Sequence, residues 1–231
     1  MFFIPSLQGL AAPVATASGP TPLVWYQFNE GSGTSLTNAG SGGTALNATI
    51  SGPGYSWVTG YNGTGNALRL TNSSDKATVA ANAALNLTTG GTVMVRIKSL
   101  SGASPPVWGS PGFVGLQRTT PDADYTFNLW FNSSVARGFV VVASGRGDVG
   151  HNNSSFTITN WNHLAFTYNG SSPQLYLNGT AVGSNRADLT GNFSYTGNNF
   201  LSIENANADI DDFRLYSTVL AQSEIAAIAS S

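Results

Sequence analysis

The chain reads Trp161-Asn-His-Leu-Ala-Phe-Thr-Tyr168 and, a few residues later, Gln174-Leu-Tyr-Leu-Asn-Gly179. It closes on Ile210-Asp-Asp-Phe-Arg-Leu-Tyr216 and an alanine-rich tail, Leu220-Ala-Gln-Ser-Glu-Ile-Ala-Ala-Ile228. Leu164, Phe166 and Tyr168 alternate with Ala165 and Thr167, and that period of two puts the three large side chains on one face of a strand. Leu175-Tyr-Leu177 runs into Asn178-Gly179, a pair that tolerates positive φ and so favours the tight turn of a hairpin. Thr180-Ala-Val182 is its returning strand. Ile210, Phe213, Leu215 and Tyr216 predict a closing strand, and Ser223–Ile228 one or two turns of surface helix. Such pieces belong to an all-β protein.

Working outward, short strand patterns separated by turn clusters fill the rest of the chain from Leu23 on. Strands are expected at Val24–Phe28, Ala45–Ile50, Ala67–Leu70, Ala77–Ala80, Thr92–Ile97, Phe113–Leu116, Tyr125–Phe131, Gly138–Ala143, Leu164–Tyr168, Gln174–Leu177, Phe200–Ile203 and Ile210–Tyr216. That density of strands predicts a two-sheet sandwich. At 231 residues the chain suits one such domain, large enough to bury a core without staples. It has no cysteine, which excludes disulfides and thiolate metal sites. Only 9% of residues are charged, against about a quarter in an average protein. The formal net charge of −2 offers no basic field for nucleic acid, and no apolar run reaches the ~20 residues of a membrane span.

Residues 1–22 stand apart: apolar, uncharged and carrying four prolines. Ala15-Thr-Ala17 has the small-x-small form of a signal-peptidase site, but no Lys or Arg precedes the apolar run, and Pro5 and Gly9 interrupt it. The segment is expected to be an extended arm that fastens the sandwich to a partner through Phe2, Phe3, Ile4 and Leu7.

The order of elements resembles the laminin-G-like branch of the concanavalin A-like lectin/glucanase superfamily. The Trp161-Asn-His163 strand, the Leu175-Tyr-Leu-Asn-Gly179 hairpin and the Ile210-Asp-Asp-Phe-Arg-Leu-Tyr216 ending come in that family's sequence. Val24-Trp-Tyr-Gln-Phe28 with Asn29-Glu-Gly-Ser-Gly-Thr34 looks like its opening strand and loop, and Gly65-Asn-Ala-Leu-Arg-Leu70 like its next conserved pattern. The resemblance covers about residues 23 to 229. It implies a two-sheet concanavalin A-like jelly roll over residues 23–231, behind the arm and ahead of a short C-terminal helical turn. A fold of this kind hosts lectins, hydrolases, adhesins and spacers alike, so function has to be argued from sites.

Hydrolases on this fold carry a Glu-x-Asp-x-Glu strand, whose acids must sit about 5–10 Å apart to act as acid and nucleophile or base. This chain has three glutamates, Glu30, Glu204 and Glu224, and no strand with that pattern. With no cysteine and no Gly-x-Ser-x-Gly elbow, the expectation is that it is not an enzyme. The resemblance further implies one structural calcium at the sandwich rim. The matching oxygen ligands are Asn29 or Glu30, Asp75, and Asp211 or Asp212, with the alternative that the last two hydrogen-bond a turn or pair with Arg214. Sugar-binding faces on such sandwiches stack a pyranose on an exposed aromatic ring. Trp25 and Trp161 fall at family core positions, which leaves Trp57, Trp108 and Trp130, with Tyr55, Tyr61, Asn128 and Arg118 as polar or stacking company. Tyr125, Phe127, Leu129 and Phe131 share one face of their strand by alternation, and Trp130 takes the other. Arg146-Gly147-Asp148 is the tripeptide that cell-adhesion receptors read, and its flanking glycines suggest a loop tip.

Two classes of function follow. In one, the arm anchors the sandwich to a virion or extracellular assembly, where it faces outward as decoration, fibre knob or adhesin and could bind glycans; a homotrimer would suit a knob. In the other, residues 1–17 are a signal and the sandwich is a secreted or cell-surface carbohydrate-binding module.

Overall fold

The computed structural model describes residues 19–100, 112–118, 125–132, 135–152, 157, 159–183, 186–195, 197–204 and 207–231. Phe2, Phe3, Ile4, Leu7 and Trp108 lie outside them. Among the described residues the strands are β1 (Val24–Tyr26), β2 (Ser35–Leu36), β3 (Ala48–Ser51), β4 (Ser56–Thr59), β5 (Asn66–Leu70), β6 (Lys76–Val79), β7 (Gly91–Ser99) and β8 (Gly112–Arg118). They continue with β9 (Tyr125–Asn132), β10 (Val135–Val142), β11 (Gly145–Asn152), β12 (Asn162–Tyr168), β13 (Gln174–Leu177), β14 (Thr180–Val182), β15 (Asn199–Glu204) and β16 (Ala208–Tyr216), and one helix, α1 (Gln222–Ala229), follows.

Two antiparallel sheets form the sandwich. The first runs β14, β13, β12, β7, β16, β5, β4, with β1 also paired to β16; the second runs β11, β10, β9, β8, β15, β6, β3, β2. The alternation read from the sequence decides what meets between them. Leu164, Phe166 and Tyr168 point inward from β12, and Phe127, Leu129 and Phe131 point inward from β9. Phe127 packs on Phe166 with ring centres 5.3 Å apart, and Phe193 closes on both Phe127 and Tyr168. Each such fully buried side chain contributes roughly 1.5–3 kcal/mol relative to exposure. Gly138, on the inward face of β10, leaves room for Phe166 of the facing sheet, since a Cβ there would overlap the Phe166 ring.

The Asn178-Gly179 turn forms as expected, with φ of 49° and 81° joining β13 to β14. Asn178 also serves β12, because its side-chain oxygen accepts from the His163 N–H at 2.8 Å. The helix covers part of the first sheet's outward face, placing Leu220 and Ile225 on Met94, Ala165, Tyr176 and Tyr216. The Glu224 carboxylate reaches back to the Ala221 N–H at 2.7 Å, satisfying one of the orphan donors of the first turn. No helix among the described residues is long and apolar enough to cross a membrane.

Three details differ from expectation. The predicted strand Ala45–Ile50 begins as a 3-10 turn, Gly43–Leu46, so that Leu46 is buried ahead of the strand. The stretch Gly145–Asn152 is a full edge strand rather than a loop, paired to β10 throughout. A β-bulge between Leu116 and Gln117 shifts the β8–β9 register. Beyond it Tyr125 stacks on Phe113 and meets Phe139 edge-on, on the opposite face from Phe127 and its companions.

Candidate functional site

The second sheet's outward face is laid out by register. One cross-strand row runs Ser202, Gly115, Asn128, Phe139, Asp148, and the next runs Glu204, Phe113, Trp130, Arg137, Gly150. Aromatic rings dominate the centre. Tyr125 stacks on Phe113 at 3.7 Å between centroids, and the Arg137 guanidinium lies 5.3 Å from the centre of the Trp130 ring. To one side the polar groups are paired: Gln117 donates to Glu204 Oε1 at 3.0 Å and Ser202 to Oε2 at 2.9 Å. At the other edge Arg137 pairs with Asp148.

Asn128 breaks that pattern. It is 1% exposed, yet neither its amide oxygen nor its amide nitrogen has a hydrogen-bond partner. Its neighbours across the ladder explain its position. Gly115 has φ of 150°, and a Cβ there would press on Asn128 Cα and Cβ, so the space Asn128 takes exists because residue 115 is glycine. Phe139 lies on its other side and is half-buried.

Of the expected sugar-binding residues, the structure therefore brings Trp130 and Asn128 together. Arg118 is on β8 opposite Asn199, five residues and roughly 16 Å of strand beyond Phe113, the partner of Trp130. Trp57 is on β4, at the edge of the other sheet, where it packs half-buried against the core and donates to the Gly33 carbonyl at 3.4 Å. Trp57 and Trp130 thus belong to different surfaces. Phe113, Tyr125, Phe139 and Arg137 were not anticipated. Phe113 and Phe139 could have been found by alternation, being the outward partners of Val114 and Val140; Tyr125 could not, because a bulge reverses it.

The adhesion tripeptide is not at a loop tip. Arg146, Gly147 and Asp148 lie within β11, opposite Val141, Val140 and Phe139, and Asp148 is committed to Arg137. Of the flanking glycines, Gly145 opens the strand at φ 145° with open space around it, while Gly147 within the tripeptide is a site of close approach, where a Cβ would meet the Arg186 guanidinium at 3.1 Å.

The rim of the first sheet gathers some of the expected calcium ligands. Asn29, Asp211 and Asp212 line a cavity of about 360 Å³ together with Gln27, Tyr61 and Arg96. Asp75 is elsewhere, fully buried and accepting from the backbone N–H groups of Gly54, Thr71 and Asn72 at 2.8–2.9 Å. Glu30 accepts from the Thr37 N–H at 2.8 Å, and its second oxygen is buried without a partner. Among the described residues no three acids or histidines come together as a metal group. A bulge in β16 between Asp211 and Arg214, with Asp212 at φ 47°, turns Asp212 and Arg214 outward beside Asp211 while Phe213 stays in the core. Asp211 accepts from the N–H groups of Tyr61 and Asp212, at 2.9 and 2.7 Å. Burial nevertheless dominates and lifts its carboxyl to about 6. Asp212 is paired with Arg214, at 2.8 and 3.0 Å, and accepts from the Trp25 indole at 2.9 Å.

Trp25 and Trp161, expected in the core, are half-buried at this rim. Arg214 covers Trp25 at 4.6 Å, while Trp161 meets Tyr61 edge-on at 6.2 Å and Lys98 at 5.8 Å. His163 lies beneath, 2% exposed, with no partner on either ring nitrogen. Burial first, and then the Arg96 charge, press its ring down to about 3, so it is neutral at physiological pH.

A laminin-G-type family model, described as the concanavalin A-like lectin/glucanases superfamily, matches residues 71–226, more than half of the chain. The chain belongs to this superfamily. No curated protein sequence matches it. Solved structures similar to this superfamily member include the botulinum neurotoxin serotype D binding domain, at 15% identity and TM-score 0.66, covering 91% of this chain and 50% of that one. The binding domain of Paraclostridial Mosquitocidal Protein 1 is similar too, at 14% identity and TM-score 0.63, covering 90% and 52%. So is the binding domain of botulinum neurotoxin DC in complex with SialylT, at 13% identity and TM-score 0.63, covering 91% and 51%. The chain spans about half the length of these proteins, and at such identities the likeness is one of fold.

Proposed function

We propose that this superfamily member is a non-catalytic binding module that recognises glycan on the outward face of its second sheet and works at a virion or extracellular surface. The observation that carries the reading is the unpaired Asn128 amide set among Phe113, Tyr125, Trp130 and Phe139. Leaving a buried amide without partners costs about 1–3 kcal/mol, a cost that a ligand able to both donate and accept would remove. Sugar hydroxyls do both, and the half-buried Tyr125 and Phe139 rings, backed by the buried Phe113 and Trp130, suit the apolar face of a pyranose. That the similar solved structures are binding domains, one of them with SialylT, agrees with this reading. Residues 1–22 would fasten the module to its assembly.

The test is a glycan array probed with the full chain, followed by calorimetric titration of whatever is retained. Glycan binding that Asn128→Leu abolishes is the expected result. An array without hits, or hits that Asn128→Leu leaves at full affinity, would remove the site. N-terminal mass spectrometry of the native protein places the arm: a peptide starting at Met1 in a particle fraction supports the anchor, and one starting near Ser18 in a soluble fraction favours a secreted module.

A further inference from the structure

The rim cavity holds two adjacent carboxylates, the residues that the family resemblance marks for calcium, and the donor set around them can be followed oxygen by oxygen. Both Asp211 oxygens accept from backbone N–H groups, those of Tyr61 and Asp212. Asp212 Oδ1 accepts from Arg214 Nε and the Trp25 indole, and Oδ2 accepts from Arg214 Nη2 and faces Arg96 Nε at 3.6 Å. Asn29 Oδ1 accepts from the Asn66 N–H at 3.3 Å. Calcium needs six to eight oxygens drawn close around one point. Here the side-chain oxygens of Asp211, Asp212 and Asn29 are turned to N–H donors, and neither Asp75 nor Glu30, whose Oε2 has no partner, lines the cavity.

Charge argues the same way. Arg96 is 4% exposed and lines the cavity that would receive the ion. Its guanidinium cannot leave without cost. It donates to the carbonyls of Ile228, Ala229 and Ser231 at 2.6, 3.2 and 3.1 Å, capping the C-terminus of α1, and it stacks 4.0 Å from the centre of the Tyr61 ring. The carboxylates of Asp211 and Asp212 already face two guanidinium groups, and a divalent ion placed among them would be repelled by both arginines.

We infer that arginine takes the place of calcium at this rim: Arg96 and Arg214 neutralise Asp211 and Asp212, and Arg96 at the same time ties the C-terminal helix to the Tyr61 turn. The residues do not fit the family's cation, and the rim is held without it.

The test uses the full chain, melted by scanning calorimetry in EDTA and in millimolar calcium, with terbium luminescence as an independent probe because Tyr61 lines the cavity and Trp161 adjoins it. The expected results are one melting temperature in both media and no sensitised terbium emission. Asp212→Asn should lower the melting temperature by the same amount in each medium, since the partners it strands are Arg214 and Trp25. A calcium-dependent rise for the unmodified protein, terbium emission displaced by calcium, or an Asp212→Asn loss confined to calcium would each overturn the inference. The first two need no variant to fold.

Discussion

The two sheets treat their outward faces in opposite ways. On the first, α1 covers the apolar half, and the charges beside it are matched. Asp209, 1% exposed, is held by Arg69 at 2.6 and 2.9 Å with Lys98 at 3.6 Å, while Asp212 has Arg214, and Arg96 has the helix carbonyls. On the second, outward aromatic rings surround an amide with no partner. Among the described residues, His163 on the first face and Asn128 on the second are buried with every side-chain polar atom lacking a hydrogen-bond partner, and the two differ in kind. His163 is closed off beneath Arg96 and the helix, and remains neutral there. Asn128 carries a permanent donor and acceptor on a face where Tyr125 and Phe139 stay half-buried. A sealed face can leave a neutral imidazole unpaired once its surroundings hold it fixed. An unpaired amide among rings that reach solvent marks the face meant to be covered by something else.

The comparison breaks most visibly at Arg96. Arg96→Leu removes the second cation facing Asp212, uncaps α1 and takes the cation from over Tyr61, and the lost charged hydrogen bonds to the helix end cost about 1.5–3 kcal/mol. Urea unfolding should report that loss, with hydrogen exchange in Gln222–Ala229 rising before the rest of the chain. If the midpoint fell but the helix amides stayed as protected as before, Arg96 would not be what fastens the helix.

A smaller effect separates the two titrating groups of the sealed face. The folded state refuses His163 a proton down to about pH 3, whereas the unfolded chain takes it near 6.5, so His163 withdraws stability as pH falls from 6.5 toward 3. Asp211 does the reverse. Its folded carboxyl binds a proton near pH 6 and its unfolded one near 3.8, so stability is regained as pH falls through that window. Between about pH 6 and 4 the two contributions oppose each other, each with a slope of up to about 1.4 kcal/mol per pH unit. Relative to the unmodified protein, His163→Gln should gain stability on acidification across that window and Asp211→Asn should lose it. Parallel pH profiles for all three proteins would show that neither group titrates as the burial implies.

Much of this was legible before the structure. The alternation at Leu164, Phe166 and Tyr168, the Asn178-Gly179 turn and the closing strand all landed where the pattern put them, because inward hydrophobic alternation is what a sandwich core demands. Even the β16 bulge leaves a trace: Ile210 and Phe213 are three apart, so both can face inward only if the strand slips between them. The candidate site was read in part. Trp130 and Asn128 follow from simple alternation along β9. Tyr125 was misread since its reversal depends on a bulge set by the partner strand. The edge strand carrying Arg146, Gly147 and Asp148 was missed because its glycines look the same whether they shape a turn or let another chain segment come near. At the rim the Arg214 pairing stood only as an alternative and Arg96 was not foreseen, since nothing local tells a carboxylate bound by guanidinium from one bound by calcium.

The sharpest form of the comparison lies within the second face itself, between two amides that the same substitution should move in opposite directions. Gln117 is 5% exposed and bonded to Glu204, while Asn128 is 1% exposed and bonded to nothing. Gln117→Leu leaves half of the Glu204 carboxylate without its donor and should cost about 1–3 kcal/mol. Asn128→Leu keeps the branched heavy-atom shape and removes a desolvated donor and acceptor, so it should be neutral or stabilising by roughly 1 kcal/mol while glycan binding is lost. Urea midpoints for the two variants, measured side by side with the same glycan titration, separate the explanations. If Asn128→Leu destabilises as much as Gln117→Leu, the amide is already satisfied in the unliganded protein, and the case for a ligand on this face loses its foundation. If it stabilises and binding persists, Asn128 is a tolerated flaw in the packing and the aromatic rings alone make the site. Only a gain in stability coupled to a loss of binding fits a face whose central side chain is kept for a ligand at the expense of the fold.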